Sequence, residues 1–276
     1  MNPHAEKPTS PVALWRGMWR NRHLILQMTR RDVIGRYRGS VMGVLWSFFN
    51  PLFLLTTYTF VFSVVFKARW NGSVPQSKSE FAILLFMGMI VHTLFAETLS
   101  RAPTLIVSNV SYVKKIVFPL EILPVVALGV ALFHALVSVV VLGAFVVIAS
   151  GHISWTMIFL PVILLPLMVL TLGVAWALAS LGVFLRDVAQ PIGLLMTVLL
   201  FASPVFYPLS ALPAVVRPWL WLNPLTFVIE QARAVFIYGQ LPDWGGLGIY
   251  CVVAVIIAWV GYAWFQKTRK GFANVL

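Results

Sequence analysis

The chain's 276 residues are 60% apolar and only 10% charged, with a mean hydropathy of +0.91. That balance excludes an ordinary soluble domain and predicts an integral membrane protein. A net charge of +12 would suit nucleic acid in a soluble chain, but in a membrane protein it reflects Lys and Arg retained on the cytoplasmic side, so no nucleic-acid partner is expected.

Residues 1–22 read as an N-terminal cytoplasmic segment. The first 40 residues hold eight Lys/Arg and no sustained apolar core, so no cleavable signal peptide is visible. Residues 23–40 are predicted to form an amphipathic helix in the cytoplasmic interface. Leu26, Val33, Ile34, Tyr37 and Val41 fall within about 100° of one another, the width of an apolar stripe. Arg31 and Arg38 flank the stripe, Arg36 lies on the far side and Arg30 falls inside it. At headgroup level each such cation gains about 1 kcal/mol from anionic lipid. A guanidinium fork also matches phosphate or pyrophosphate, although the same charges would serve as a plain topology anchor. Gly39, Ser40 and Gly43 then form the corner into the membrane.

Stretches free of Lys, Arg, Asp and Glu, long enough for a bilayer, place spans at about 41–66, 81–100, 122–149, 154–185, 188–203 and 246–266. The turn "SGHISW" at 150–155 divides the long uncharged run. Six spans put both termini on one side. Fifteen of the twenty Lys/Arg fall on that side, and five, Arg217 and Arg233 among them, on the other, which makes the first side cytoplasmic. In the first span Trp46, Ser47, Asn50, Thr57 and Tyr58 share one face. Such aromatic and hydrogen-bonding groups would suit a sugar-conducting path, and helix packing would use them equally well.

Between the second and third spans, "SNVSYVKKIVFPLEILP" (108–124) offers a short basic helix stopped at Phe118-Pro119. It reads either as a connector or as a knob for a cytoplasmic partner. Residues 204–245 are nearly as apolar as the spans, yet prolines recur from Pro204 to Pro224. Broken backbone persists at membrane depth only where it is buried in protein or lines a wet cavity. A re-entrant hairpin is therefore predicted, followed by a short helix from about Leu225 to Tyr238; the alternative is a loop lying flat on the interface. Phe206, Tyr207, Trp219, Trp221 and Trp244 would otherwise belong to an interfacial aromatic belt.

The chemistry missing from the chain narrows its function. There is no G-x-x-x-x-G-K-[ST] phosphate loop, and the histidines have no metal-site spacing, so no metal is expected. Glu80, Glu97, Glu121 and Asp187 sit at span ends. His134 is mid-span, where a helix–helix hydrogen bond is the ordinary role. Cys251 has no second cysteine to pair with. A membrane-embedded glycan-processing enzyme is disfavoured, because no polar groups converge.

In combination, "TRRDVIGRYRGSVMGVLWSFFNPL", "YVKKIVFPLEILP", the "RDV" turn at 186–188 and "SPVFYPLSALP…LNPLTFVIEQAR" resemble the permease subunit of ABC-2-type polysaccharide exporters, the O-antigen, teichoic-acid and capsular polysaccharide permeases. The resemblance implies an all-α integral membrane protein of the bacterial inner membrane. It would have six transmembrane helices, an N-terminal amphipathic interface helix, a cytoplasmic coupling helix, and periplasmic re-entrant gate helices before the last span. It further implies a homodimer working with two copies of a separate ATPase. That ATPase would bind ATP and Mg, leaving this chain no enzyme and without a cofactor. The substrate implied is a polysaccharide linked to a lipid of the polyprenyl-pyrophosphate type; a drug or lipid exporter of the same plan is the alternative. Residue by residue, Arg30, Arg31, Arg36 and Arg38 would meet the lipid carrier. Asn109, Tyr112, Lys114, Lys115 and Phe118 would couple to the ATPase. Trp46, Ser47, Asn50, Thr57 and Tyr58 would line the channel. Pro204, Phe206, Tyr207, Pro208, Trp219 and Trp221 would form the external gate.

Overall fold

A computed structural model describes residues 10–61, 78–114 and 118–276, and among them the only regular elements are helices. Lys115, residues 62–66 of the first predicted span, residues 67–77 after it and residues 1–9 lie outside the described residues. The N-terminal segment contains a helix, α1 (Pro11–Arg20), capped by the Ser10 hydroxyl, which accepts from the Ala13 N–H at 3.2 Å. The predicted interface helix is α2 (Arg22–Arg36). Its buried side chains are Met28 and Val33, because it rests on α6 (Ile122–Ser150), where Thr29 fits against Gly129. Of the predicted stripe only Val33 is buried. Leu26 and Ile34 face away, and Val41 lies beyond the end of the helix, where a 100° periodicity no longer applies.

Among the described residues, five helical stretches are long and apolar enough to cross a membrane: Gly43–Val61, Ser79–Thr104, Ile122–Ala149, Trp155–Phe184 and Trp244–Val275. They contain α3 (Trp46–Tyr58), α4 (Lys78–Arg101), α6, α7 (Leu160–Phe184) and α11 (Trp244–Thr268). The chain is a multi-pass membrane protein. The predicted span at 188–203 is α8 (Ala189–Ala202), whose 14 residues reach about 21 Å, short of a hydrocarbon core of about 30 Å. At "SGHISW" α6 ends as predicted. Gly151 takes a left-handed φ of 75° and returns its N–H to the Val147 carbonyl.

The core forms around α4, whose inward residues run from Phe81 to Leu99. Helices α6, α7 and α10 (Pro224–Phe236) pack against it. Helices α7 and α11 approach closely because small residues meet, Gly173 against Ala258 and Gly261. A second cluster at the other end gathers Met28, Ile106, Val113, Trp176, Phe265 and Phe272. It ties α5 (Val110–Lys114) and the C-terminal α12 (Phe272–Val275) to the bundle.

The proline-rich segment does not lie clear of the bundle. Ser203, Pro204 and Val205 are buried beneath α4, with Val205 against Gly88. The chain leaves, forms α9 (Arg217–Leu220), and returns at Trp221 and Leu222. These two share a cavity of about 520 Å³ with Phe95, Val174 and Ile257, mid-length residues of α4, α7 and α11. Asn223 closes the excursion, donating from Nδ2 to the Ser203 hydroxyl at 2.9 Å and capping α10 through its Oδ1.

Candidate functional site

Helix α2 ends against the flank of α4 and α6, and its last residue, Arg36, becomes part of an ionisable cluster. Arg36 Nη1 lies 2.7 Å from Glu97 Oε1. His134 Nδ1 lies 2.9 Å from Glu97 Oε2 and 3.1 Å from Oε1. With its proton on Nδ1, the imidazole donates to the carboxylate and leaves Nε2 to accept from the Tyr37 hydroxyl at 3.2 Å. The 3.3 Å approach of Arg36 Nη1 to Nδ1 is then a contact between two donors. Burial raises the pKa of the Tyr37 phenol above its ordinary value, which keeps it a hydroxyl donor.

The cluster forms the polar end of a cleft of about 400 Å³ between α2, α3, α4 and α6. Ser47, Asn50, Thr93 and Ser138 line it, and Leu54, Phe86, Met89 and Ile90 make its apolar part. Arg36 and the Asn50 amide, which has no hydrogen-bond partner among the described residues, offer donors to anions or hydroxyl-rich groups, while the part-buried Glu97 carboxylate neutralises the guanidinium when the cleft is empty of them.

The predicted entrance residues are divided by the structure. Only Arg36 lines the cleft; Arg30 and Arg38 are exposed elsewhere on the surface. Arg31 points to α5, donating from Nη1 to Tyr112 Oη at 3.0 Å, and this hydrogen bond raises the arginine's pKa. Asp32 lies 3.3 Å from Arg31 and 3.8 Å from Arg101. Of the predicted channel face, Ser47 and Asn50 reach the cleft. Trp46 packs edge-on to Phe49, Thr57 is exposed, and Tyr58 meets Phe206 edge-on.

The predicted coupling residues surround α5. Asn109 donates from Nδ2 to the Leu105 carbonyl, and Tyr112 stacks on Phe118 with ring centroids 4.3 Å apart. Lys114 ends α5, and Lys115 lies outside the described residues. Phe118 is anchored in turn: its carbonyl accepts from Arg269 Nη2 at 3.1 Å, and Arg269 Nη1 is paired with Glu121 at 2.7 Å. Of the predicted gate, Pro204 is buried, Phe206 stacks on Phe201, and Tyr207 donates to the Phe201 carbonyl. Pro208 precedes a short helical turn at Leu209–Ala211, while Trp219 and Trp221 are 70% and 56% exposed.

Sequence reasoning missed three participants. Glu97 looked like a span-end charge and His134 like a lone helix–helix residue. The signal that joins them is the rarity of ionisable groups inside spans, each of which requires a partner. Arg233, counted with the external cations, is 1% exposed. Its Nε donates to the Leu84 carbonyl and its Nη2 to the Val205 carbonyl, both at 3.0 Å, and Nη1 pairs with Glu230 at 2.9 Å.

Comparison with known proteins matches residues 23–237 to the family described as ABC-2 type transporter. The chain is 27% identical over 265 residues to an O-antigen export system permease protein RfbA of Myxococcus xanthus, covering 95% of this chain and 99% of the relative. It is 26% identical over 254 residues to a protein of the same name from Klebsiella pneumoniae, covering 92% of this chain and 95% of the relative.

Proposed function

We propose a function from this premise: the chain belongs to the ABC-2 type transporter family. It is the membrane subunit of an ATP-driven exporter that carries a lipid-linked, O-antigen-like polysaccharide across the bacterial inner membrane. The observation that carries this reading is end-to-end similarity to O-antigen export permeases in a chain whose sequence has no phosphate loop. Energy is supplied by two copies of a separate ATPase, which bind ATP and Mg and push on the segment Val107–Lys114. Two copies of this chain form the conduit, with the exposed face of α3 (Phe48, Leu52, Phe53) turned toward the second copy. Helix α8 and the re-entrant segment together complete a sixth crossing, which leaves both termini cytoplasmic and the aromatics around Phe206 and Trp219 at the outer end. Arg36 and the cleft beneath it receive the anionic carrier lipid, and Arg31 belongs instead to the coupling apparatus.

The test is co-purification with the ATPase, followed by ATP hydrolysis with and without lipid-linked glycans. Stimulation by a polyprenyl-pyrophosphate-linked polysaccharide is expected. Stimulation by small apolar drugs or by phospholipid, with none by the glycan, would replace this reading with a drug or lipid exporter.

A further inference from the structure

The three ionisable groups at the cleft are held unequally. Glu97 is held from two different helices, by the Arg36 guanidinium at 2.7 Å and by a hydrogen bond from His134 at 2.9 Å. Arg36 commits one nitrogen, Nη1, to this pair; its Nε and Nη2 make no hydrogen bond to any described residue. Its side chain is 41% exposed, against 13% for Glu97. When the guanidinium turns toward a ligand in the cleft, the carboxylate keeps the hydrogen bond from His134. The Asn50 carboxamide and Thr93 hydroxyl line the same cleft without a hydrogen-bond partner among the described residues.

We propose that Glu97 is a built-in counter-ion, displaced from Arg36 when a lipid-borne phosphate or pyrophosphate enters the cleft, and that His134 keeps the carboxylate while the anion is bound. The ligand's oxygens take the fork of the guanidinium, and Asn50 adds a neutral donor. The device supplies discrimination as well as affinity. A permanently free arginine beside a bilayer would be saturated by ordinary anionic headgroups. An internal carboxylate sets a threshold that a more highly charged pyrophosphate passes more readily than a single phosphodiester. The inference depends on the export reading only for which lipid carries the phosphate.

The test uses the full-length chain in nanodiscs of zwitterionic lipid, titrated with a polyprenyl pyrophosphate or with phosphatidylglycerol, and bound lipid counted by native mass spectrometry. Glu97→Gln removes the competitor and is expected to tighten binding about tenfold, the lower range of a charge-assisted hydrogen bond. His134→Leu leaves Arg36 as the only side chain holding the Glu97 carboxylate, so the pair is harder to open and binding is expected to weaken. Arg36→Gln added to Glu97→Gln abolishes the gain. Preference of the unmodified chain for the polyprenyl lipid over phosphatidylglycerol, narrowed in Glu97→Gln because phosphatidylglycerol then binds too, assigns the site to the carrier; equal binding of both lipids by the unmodified chain overturns the threshold and assigns the site to bulk phospholipid. Weaker or unchanged binding in Glu97→Gln overturns the proposal and reduces the cluster to a helix clamp. The opposite signs expected for Glu97→Gln and His134→Leu keep the test independent of folding losses, which would weaken both. Failure here leaves the export reading intact, because that reading is decided by glycan-stimulated ATP hydrolysis.

Discussion

Arg31 donates from Nη1 to Tyr112 Oη at 3.0 Å across 81 positions of sequence, joining α2 to α5 by one hydrogen bond. The Tyr112 ring also stacks on Phe118 at an interplanar angle of 12°. Hydroxyl and ring are therefore separable. Tyr112→Phe keeps the stack and loses the bond from α2. A half-exposed hydrogen bond is worth about 1 kcal/mol, so thermal stability should fall only slightly. If α5 takes up the ATPase's motion, export should fall severalfold while the ATPase still co-purifies. Tyr112→Ala, which also loses the stack, should weaken assembly itself. Unchanged export in Tyr112→Phe would remove this bond from the transmission path.

The Arg233 guanidinium holds α10, the Val205 turn and α4 together. Arg233→Met would strip the donor from the buried Val205 carbonyl, at about 1–3 kcal/mol if left unsatisfied, and would also remove a second donor from the Leu84 carbonyl, which keeps its helical bond in α4. A drop of about 1–3 kcal/mol in unfolding free energy is expected, read as a lowered thermal midpoint in detergent. Arg233→Lys should be intermediate, since an ammonium is a point charge that cannot span three partners in the geometry of a planar fork. Gly88→Ala probes the same contact from the other side. Its Cβ would lie 3.0 Å from Arg233 Nη2 and 3.2 Å from Val205 Cα, so it should also destabilise, by less.

Helix content and the long apolar spans were legible because their signal is local: an uncharged run of span length has few other uses. The turn at Gly151 was legible for the same reason. The candidate site was not, because it depends on which helix faces which. Arg36 was picked out as a cation on the far side of the stripe, but its partners Glu97 and His134 lie 61 and 98 residues further on, in other helices. The positive-inside count takes a charge without regard to whether it is paired, and so it counted the buried Arg233 simply as an external cation. The stripe on α2 failed at Val41 because the helix stops at Arg36. The short α8 looked like a span because the apolar run continues into buried but irregular backbone at Ser203–Val205.

The seam between α7 and α11 depends on the absence of side chains. A Cβ on Gly261 would collide with the Gly173 carbonyl, and one on Gly173 would come within 2.6 Å of the Ala258 backbone. The neighbours are backbone atoms and cannot rotate away, so the helices would have to separate. Gly261→Ala should therefore lower the thermal midpoint sharply, with overpacking costs of about 1–3 kcal/mol or more. Gly193 on α8 is the control, since nothing lies within 4 Å of its Cβ position. Gly193→Ala should be neutral or slightly stabilising, because alanine favours helix over glycine by about 1 kcal/mol. Equal losses in the two variants would argue against the seam as the cause.

The Glu121–Arg269 pair, 2.7 Å apart and nearly dry, anchors the loop that carries Phe118 to the end of α11. Burial makes the pair asymmetric under mutation. Arg269→Met removes a counter-ion from a desolvated carboxylate and a donor from the Phe118 carbonyl, and breaking a buried pair in this way costs about 3–5 kcal/mol. Glu121→Gln leaves the guanidinium its bond to that carbonyl and should cost less. The double variant should be more stable than Arg269→Met alone, because it no longer buries a carboxylate deprived of that cation. A double-mutant cycle on the thermal midpoint measures this coupling. Additive losses would mean that the two residues act separately. A large coupling, together with lost ATPase co-purification in Arg269→Met alone, would place the pair beneath the coupling segment as its rigid footing.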